Sequence, residues 1–246
     1  LSTTLPKRIF GEVGGKCSLT ITTGDQMGNV CMEGGAKVEC PSELDAPEDG
    51  KKSKVRDFLE ADCVDNGDGS YCITWNSSKA GQFDVAVKIG GLHVRNSPTQ
   101  LNLVSTQPKV EKCKVFGDGL TNVTKSEPGS FRIRFFDQFN NATIQTPAFK
   151  KDFAPVMSLM TAGSISSTSH PSGKQEYDGK WVEEGEGIEP GDSQYEVTYT
   201  PSTSGAYQIY LWAEPRQSDH PEDREYFADS PWNVTVHANN KHRVVS

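Results

Sequence analysis

Apolar and polar residues alternate along short stretches of this chain. In Phe83-Asp84-Val85-Ala86-Val87-Lys88-Ile89 the odd positions are apolar, which is the period of a half-buried β-strand. Tyr207, Ile209, Leu211 and Ala213 repeat that pattern, and Leu19 and Ile21 correspond to Phe131 and Ile133. No window sustains the 3.6-residue period of an amphipathic helix. Gly and Asn interrupt the alternating stretches at short intervals, as turns between strands require. The pattern predicts an all-β chain built as sandwiches of two antiparallel sheets, with roughly 100 residues in each.

The alternating segments occur twice. "DGSYCITWNSSKAGQFDVAVKIGG" begins at Asp68, and "DSQYEVTYTPSTSGAYQIYLWAE" begins at Asp192. "DQMGN" at Asp25 is echoed by "DQFNN" at Asp137, an offset of 112. Tyr71 and Gly81 match Tyr195 and Gly205 at 124, and Ser97-Pro98 matches Ser230-Pro231 at 133. The order is kept while the offset grows, as expected of two homologous domains whose second copy has longer loops. The reading is domain 1 over 1–107 and domain 2 over 108–246, meeting near "VSTQPKVEK". The extra length falls in 162–194, the C–D region, and in 214–229, the F–G region.

The ordered set Asp25, Gly28, Asn29, Gly34, Gly35, Asp68, Gly69, Tyr71, Ile73, Trp75, Ala80, Gly81, Phe83, Val85, His93, Ser97 and Pro98 resembles the filamin-type immunoglobulin-like repeat. The resemblance covers nearly all of domain 1. In domain 2 it covers the A, B, E, F and G regions and fails in the C–D region. It implies two tandem seven-strand sandwiches, with B and E in one sheet and C, F and G in the other. It also implies docking of a partner peptide as an added strand beside strand C, toward strand D. Strand C is then expected at about 37–43 and about 153–160.

Charge and composition narrow the function. The formal charge is −8 and the pI about 5.2, with no basic stripe, so no nucleic-acid partner is expected. The mixed-sign "EDGKKSKVR" at 48–56 reads as a solvated loop. No run of eighteen apolar residues occurs, so a membrane would be reached only through a segment outside this sequence. The start at Leu1, without a charged-then-apolar leader, suggests a fragment of something larger or a removed signal. "DNGDG" at 65–69 resembles a calcium loop, but a tight turn explains it better. The acidic 178–193 stretch reads as a solvated loop. Nucleophile-elbow, zinc-protease and phosphate-loop motifs are absent. His170 and His220 precede prolines without an evident partner for base catalysis. The chain is expected to be non-enzymatic, with no cofactor and no metal.

Six cysteines and four sequons bear on the compartment. The cysteines show no Cys-x-x-Cys spacing, which disfavours zinc. Cytosolic filamins carry scattered cysteines, so six buried thiols is one reading. In the sandwich that the resemblance implies, the B–C and D–E turns share one pole. That brings Cys31, Cys63 and Cys72 toward one another and leaves Cys17 at the other end, toward Cys113. The candidate pairs are Cys31–Cys72, Cys40–Cys63 and an interdomain Cys17–Cys113. The sequons at Asn76, Asn122, Asn141 and Asn233 are glycosylation candidates, the first three in predicted turns. Together these features favour the extracellular side of the plasma membrane over the cytoplasm and actin cytoskeleton.

Four aromatic residues are the candidate partner contacts. Tyr210 and Trp212 fall on the outward phase of strand F, and Tyr226 and Phe227 lie in the long F–G loop. Exposed aromatic pairs mark contact surfaces, unless the long loops fold over them. A glycan on Asn233, outward on strand G, would obstruct the same face. The leading reading is an adhesion segment of a cell-surface glycoprotein holding a protein partner on another cell, homophilic or heterophilic. Among such families it looks most like plant and algal gamete-expressed surface proteins with filamin repeats, which implies gamete attachment in fertilisation. The alternatives are a spacer rod of a cytosolic actin crosslinker and a carbohydrate-binding module of a secreted enzyme that would depend on Trp212.

Overall fold

A computed structural model describes residues 3–25, 27–41, 59–143, 150, 155–163, 175–183, 194–213 and 220–239. The 48–56 run, His170 and most of the acidic 178–193 stretch lie outside the described residues. The chain divides into two compact units, Leu1–Thr106 and Gln107–Ser246, each with its own sandwich.

In the first unit the strands are β1 (Arg8–Glu12), β2 (Cys17–Thr22), β3 (Val38–Glu39), β4 (Leu59–Asp65), β5 (Ser70–Ser77), β6 (Gly81–Val85), β7 (Lys88–Ile89), β8 (Leu92–His93) and β9 (Thr99–Val104). One layer is β2–β5–β4, which are strands B, E and D. The other contains β1–β9–β6 and β3–β7–β8, so that C pairs with F. Alternation decides which side chains go inside. Tyr71, Ile73 and Trp75 of β5 are buried together with Phe83, Val85, Val87 and Ile89 along strand F. Each such side chain contributes roughly 1.5–3 kcal/mol by leaving water.

The second unit contains β10 (Lys114–Phe116), β11 (Asn122–Thr124), β12 (Gly129–Arg134), β13 (Pro155–Thr161), β14 (Asp178–Val182), β15 (Gln194–Tyr199), β16 (Gly205–Ala213), β17 (Glu225–Tyr226) and β18 (Trp232–His237). Its layers are β10–β12–β15–β14 and β11–β18–β16–β13, with β17 added beside β16. B and E thus share one sheet and C, F and G the other, as the resemblance implies. Both insertions contribute a strand: β14 lies within 162–194 and β17 within 214–229. Phe131, Ile133, Val197, Ile209 and Leu211 form the centre of this core.

The repeated motifs are structural fixtures. In the B–C turn the Asp25 carboxylate accepts from the N–H groups of Met27 and Asn29 and from Asn29 Nδ2, each at 2.8 Å. Asp137 does the same for Phe139 N and Asn141 N at 2.9 Å and for Asn141 Nδ2. In the Ser-Pro motif the Ser97 hydroxyl accepts from Val87 N at 2.9 Å, where strand F passes from β6 to β7. The Ser230 hydroxyl accepts from Leu211 N at 3.0 Å, and both Ser-Pro bonds are cis. Gly81 and Gly205 open strand F at φ 150° and 147°, backbone that side-chain-bearing residues rarely adopt.

Ser97→Ala and Ser230→Ala each leave a buried strand-F N–H without its acceptor. Each is expected to lower the unfolding free energy by about 1–2 kcal/mol. Urea denaturation of the full chain measures this.

Candidate functional site

The strand-F face of the second unit was the first candidate, and its own insertion closes it. Trp212 is 0% exposed, not the outward contact residue that alternation along β16 predicts, and Phe227, expected as a contact in the F–G loop, is also buried. The reason is β17, which pairs Trp212 with Tyr226 and Ala213 with Glu225. The Tyr226 ring lies 5.9 Å from that of Trp212, and the Arg224 guanidinium sits 4.5 Å from the indole centroid, a cation–π contact. The Trp212 indole N–H has no hydrogen-bond partner among the described residues. A ring sealed in this way presents no platform to a sugar, so the alternative of a carbohydrate-binding module that depends on Trp212 finds no support in it. Tyr210 and Tyr226 are half-buried. Tyr210 donates to Gln208 Oε1 at 3.3 Å, and Gln208 donates to Asn233 Oδ1 at 3.2 Å.

The strand-C edge of the second unit is also partly occupied. Gln175 N donates to the Met157 carbonyl at 2.7 Å, and the Tyr177 hydroxyl donates to the Pro155 carbonyl. Residues leading into β14 therefore take two acceptors on the edge that an added strand would use. An aromatic cluster supports them, with Trp181 5.1 Å from Tyr195 and 5.4 Å from Phe135. Desolvation raises the Tyr177 hydroxyl above its ordinary pKa, so it stays a protonated donor. In the first unit β3 is two residues long, and the Tyr71 hydroxyl accepts from Ala36 N at 2.7 Å just before it.

All six cysteines are free thiols. Cys17 is buried in the first unit with its thiol directed at the Phe10 carbonyl, 3.5 Å away. Cys113 is buried in the core of the second, 3.4 Å from the Lys109 carbonyl. The expected Cys17–Cys113 bridge is thus replaced by two thiols, each packed within its own unit. Cys31 and Cys72 share the expected pole without a bond: the Cys31 carbonyl lies over Gly69, and Cys72 stands on β5 opposite Val64. Cys40 and Cys63 are neighbours, near enough for each to influence the other's thiol. Burial first, then the neighbouring Cys63, pushes the Cys40 thiol up to about 12.

Three sequons are exposed and one is not. Asn76, Asn122 and Asn233 are exposed on β5, β11 and β18, so the first two lie on strands rather than in the predicted turns. Asn141 is only 4% exposed, and its amide is spent on the Asp137 carboxylate. The turn that requires this asparagine also removes it as a glycan acceptor.

The B–C and D–E loops of the first unit form a second candidate surface, which the sequence reading passed over. Thr23 N donates to the Gly69 carbonyl at 2.9 Å, and Gly34 N donates to that of Gly67 at 3.2 Å. Asp65 accepts from Gly35 N at 2.7 Å and from Gly67 N at 2.8 Å. A Cβ on Gly69 would lie 1.9 Å from the Cys31 carbonyl oxygen, so only glycine permits this approach. Met27, Val30 and Met32 are 86%, 60% and 78% exposed here. Three apolar residues within six positions of one turn were a legible signal.

Two measurements follow from these contacts. Trp212→Ala is expected to destabilise the chain by about 3–5 kcal/mol, and Trp212→Phe by much less, because it deletes the unsatisfied N–H; thermal melts of both separate a core residue from a surface one. Hydrogen bonds hold the carboxyls of Asp25, Asp65 and Asp68 below their ordinary pKa: the Asn29 side chain for Asp25, Gly35 N for Asp65 and Ser70 for Asp68. Their contribution is present above the unfolded value near pH ~4 and is lost as pH falls through the lower folded values. The urea midpoint is expected to drop on acidification below about pH 4, with a shallower drop in Asp65→Asn.

Comparison with known proteins agrees with this architecture. The Filamin/ABP280 repeat model matches residues 4–100 and 107–213. Human tripartite motif-containing protein 2 is 30% identical over 92 residues, covering 37% of this chain and 11% of that protein; the chain therefore spans about a tenth of the length of the curated relatives it matches. FdeC, an Escherichia coli adhesin, superposes with a TM-score of 0.53 at 15% identity, over 96% of this chain and 64% of that one. Invasin, a bacterial integrin-binding protein, superposes with a TM-score of 0.52 at 11% identity, over 96% and 40%. With matching segments in both of its sandwiches, the chain belongs to the filamin repeat family.

Proposed function

We propose that this chain is an extracellular, non-enzymatic adhesion and recognition segment of a cell-surface protein, which holds a protein partner on another cell. The exterior location is carried by the three exposed sequons, at Asn76, Asn122 and Asn233, and the neighbouring Cys40 and Cys63 thiols are consistent with it. Neighbouring thiols of this kind close a bridge when an oxidant is supplied, such as a disulfide donor of the secretory pathway. They pass it two electrons and two protons and form one S–S bond. Adhesion is supported by the two solved structures that superpose across most of this chain, since both come from proteins described as an adhesin or an integrin binder. Gamete attachment is the finer reading, and the cysteines and sequons beside the filamin-type motifs support it.

A second reading, a cytosolic spacer rod of an actin crosslinker, is favoured by the six free thiols. Non-reducing peptide mass spectrometry on protein from the cells that make it separates the two. The expected result is a Cys40–Cys63 linked peptide with glycan on Asn76, Asn122 or Asn233 and none on Asn141. Six thiols and bare asparagines overturn the exterior location and favour the rod. With the bond present, reduction is expected to cost about 2–4 kcal/mol, read as a fall in Tm.

A further inference from the structure

We infer that the B–C and D–E pole of the first unit is the contact surface of this segment, and that its partner is a protein presenting an apolar pocket ringed by lysine or arginine. The inference rests on the adhesion reading and names the chemistry of the partner. Met27 stands at the tip of the Asp25 turn, and Val30 and Met32 flank half-buried Cys31. Leaving three large apolar side chains in water forgoes their burial, and methionine adapts its shape to a partner. The loops that carry them are tied to each other by three bonds, from Thr23 N and Gly34 N to the Gly69 and Gly67 carbonyls and from Gly35 N to the Asp65 carboxylate. The apolar tip is therefore presented on a scaffold that loses little freedom on binding.

The second unit uses the same turn differently. Its Asp137 gathers the same donors, but Phe139 and Ala142, which stand where the first unit has Met27 and Val30, are half-buried. Exposure is thus a property of the first unit and not of the motif.

The charge around the tip selects the occupant. Asp25, Glu33, Asp65 and Asp68 are all exposed around it, and among the described residues no lysine or arginine forms an ion pair with any of them. Hydrogen bonds keep the three aspartates ionised and fix their direction. A second copy would bring the same four carboxylates against these, within a chain of formal charge −8. An anionic membrane would be repelled for the same reason. A basic rim around an apolar pocket complements both features.

The test uses the full chain with its methionine methyls 13C-labelled and a synthetic amphipathic peptide of leucine and lysine as the probe. The four methionines are Met27, Met32, Met157 and Met160, with Met157 buried as an internal control. The expected result is that the Met27 and Met32 signals move on titration while Met157 stays. The affinity, read from the anisotropy of the labelled peptide, should weaken roughly fivefold in Glu33→Lys and fall as salt is raised. It should be lost in the double variant Met27→Ser, Met32→Ser with an unchanged Tm. Still signals at Met27 and Met32 overturn the inference. So does movement with phosphatidylcholine or phosphatidylserine vesicles, which makes the pole a lipid contact. Movement on concentrating the chain alone also overturns it and assigns the pole to a second copy. Purified chain suffices, so failure of the exterior location in mass spectrometry is distinguishable from failure here.

Discussion

A strand that leaves its ladder inside a sandwich exposes an amide that water cannot reach. Both units meet this constraint in strand F, and both answer it with the hydroxyl of a Ser-Pro serine, at Val87 in one and Leu211 in the other. An unmade hydrogen bond at such a buried site costs more than a made one contributes. The position of the serine therefore couples the start of strand G to the middle of strand F. The carboxylates of Asp25 and Asp137 do comparable work at the B–C turn. The two sandwiches are held by the same few polar contacts around otherwise different cores.

On this shared frame the units diverge in what they leave open. The second unit spends its extra residues on itself. β17 covers Trp212, and residues 175–177 take two carbonyls on the edge of β13. An uncovered strand edge invites unspecific pairing, and this unit blunts its own. The first unit has a shorter strand C, and among its described residues the apolar side chains of the B–C turn remain exposed. Loops on a rigid sandwich are where recognition is usually carried, and the unit with the shorter loops carries the more exposed surface.

The same geometry bears on chemistry. Cys40 directly follows β3 and Cys63 lies on β4, so a bond between them would tie the two sides of the groove that strand addition uses. Cys17 and Cys113 are more deeply buried, and each serves its own core.

Much of this was legible in the residues. Alternation along Phe83–Ile89 and Tyr207–Ala213 marked strand F, and the repeated Asp, Tyr, Gly and Ser-Pro positions marked two copies of one sandwich, because local periodicity and turn chemistry act over a few residues. The exposure of Trp212 and Asn141 was not legible. Period-2 alternation assigns Trp212 to the outer face but says nothing of a later strand laid over that face. The sequon rule sees Asn141 but not the carboxylate of Asp137 that claims its amide. The sequence by itself determined the all-β class, the repeat and the fixtures of each turn, since these rest on neighbours along the chain. Which aromatics are sealed, which asparagines face water, which two thiols are neighbours and which pole stays apolar were decided by tertiary structure, because each depends on a segment distant in sequence that only folding brings near.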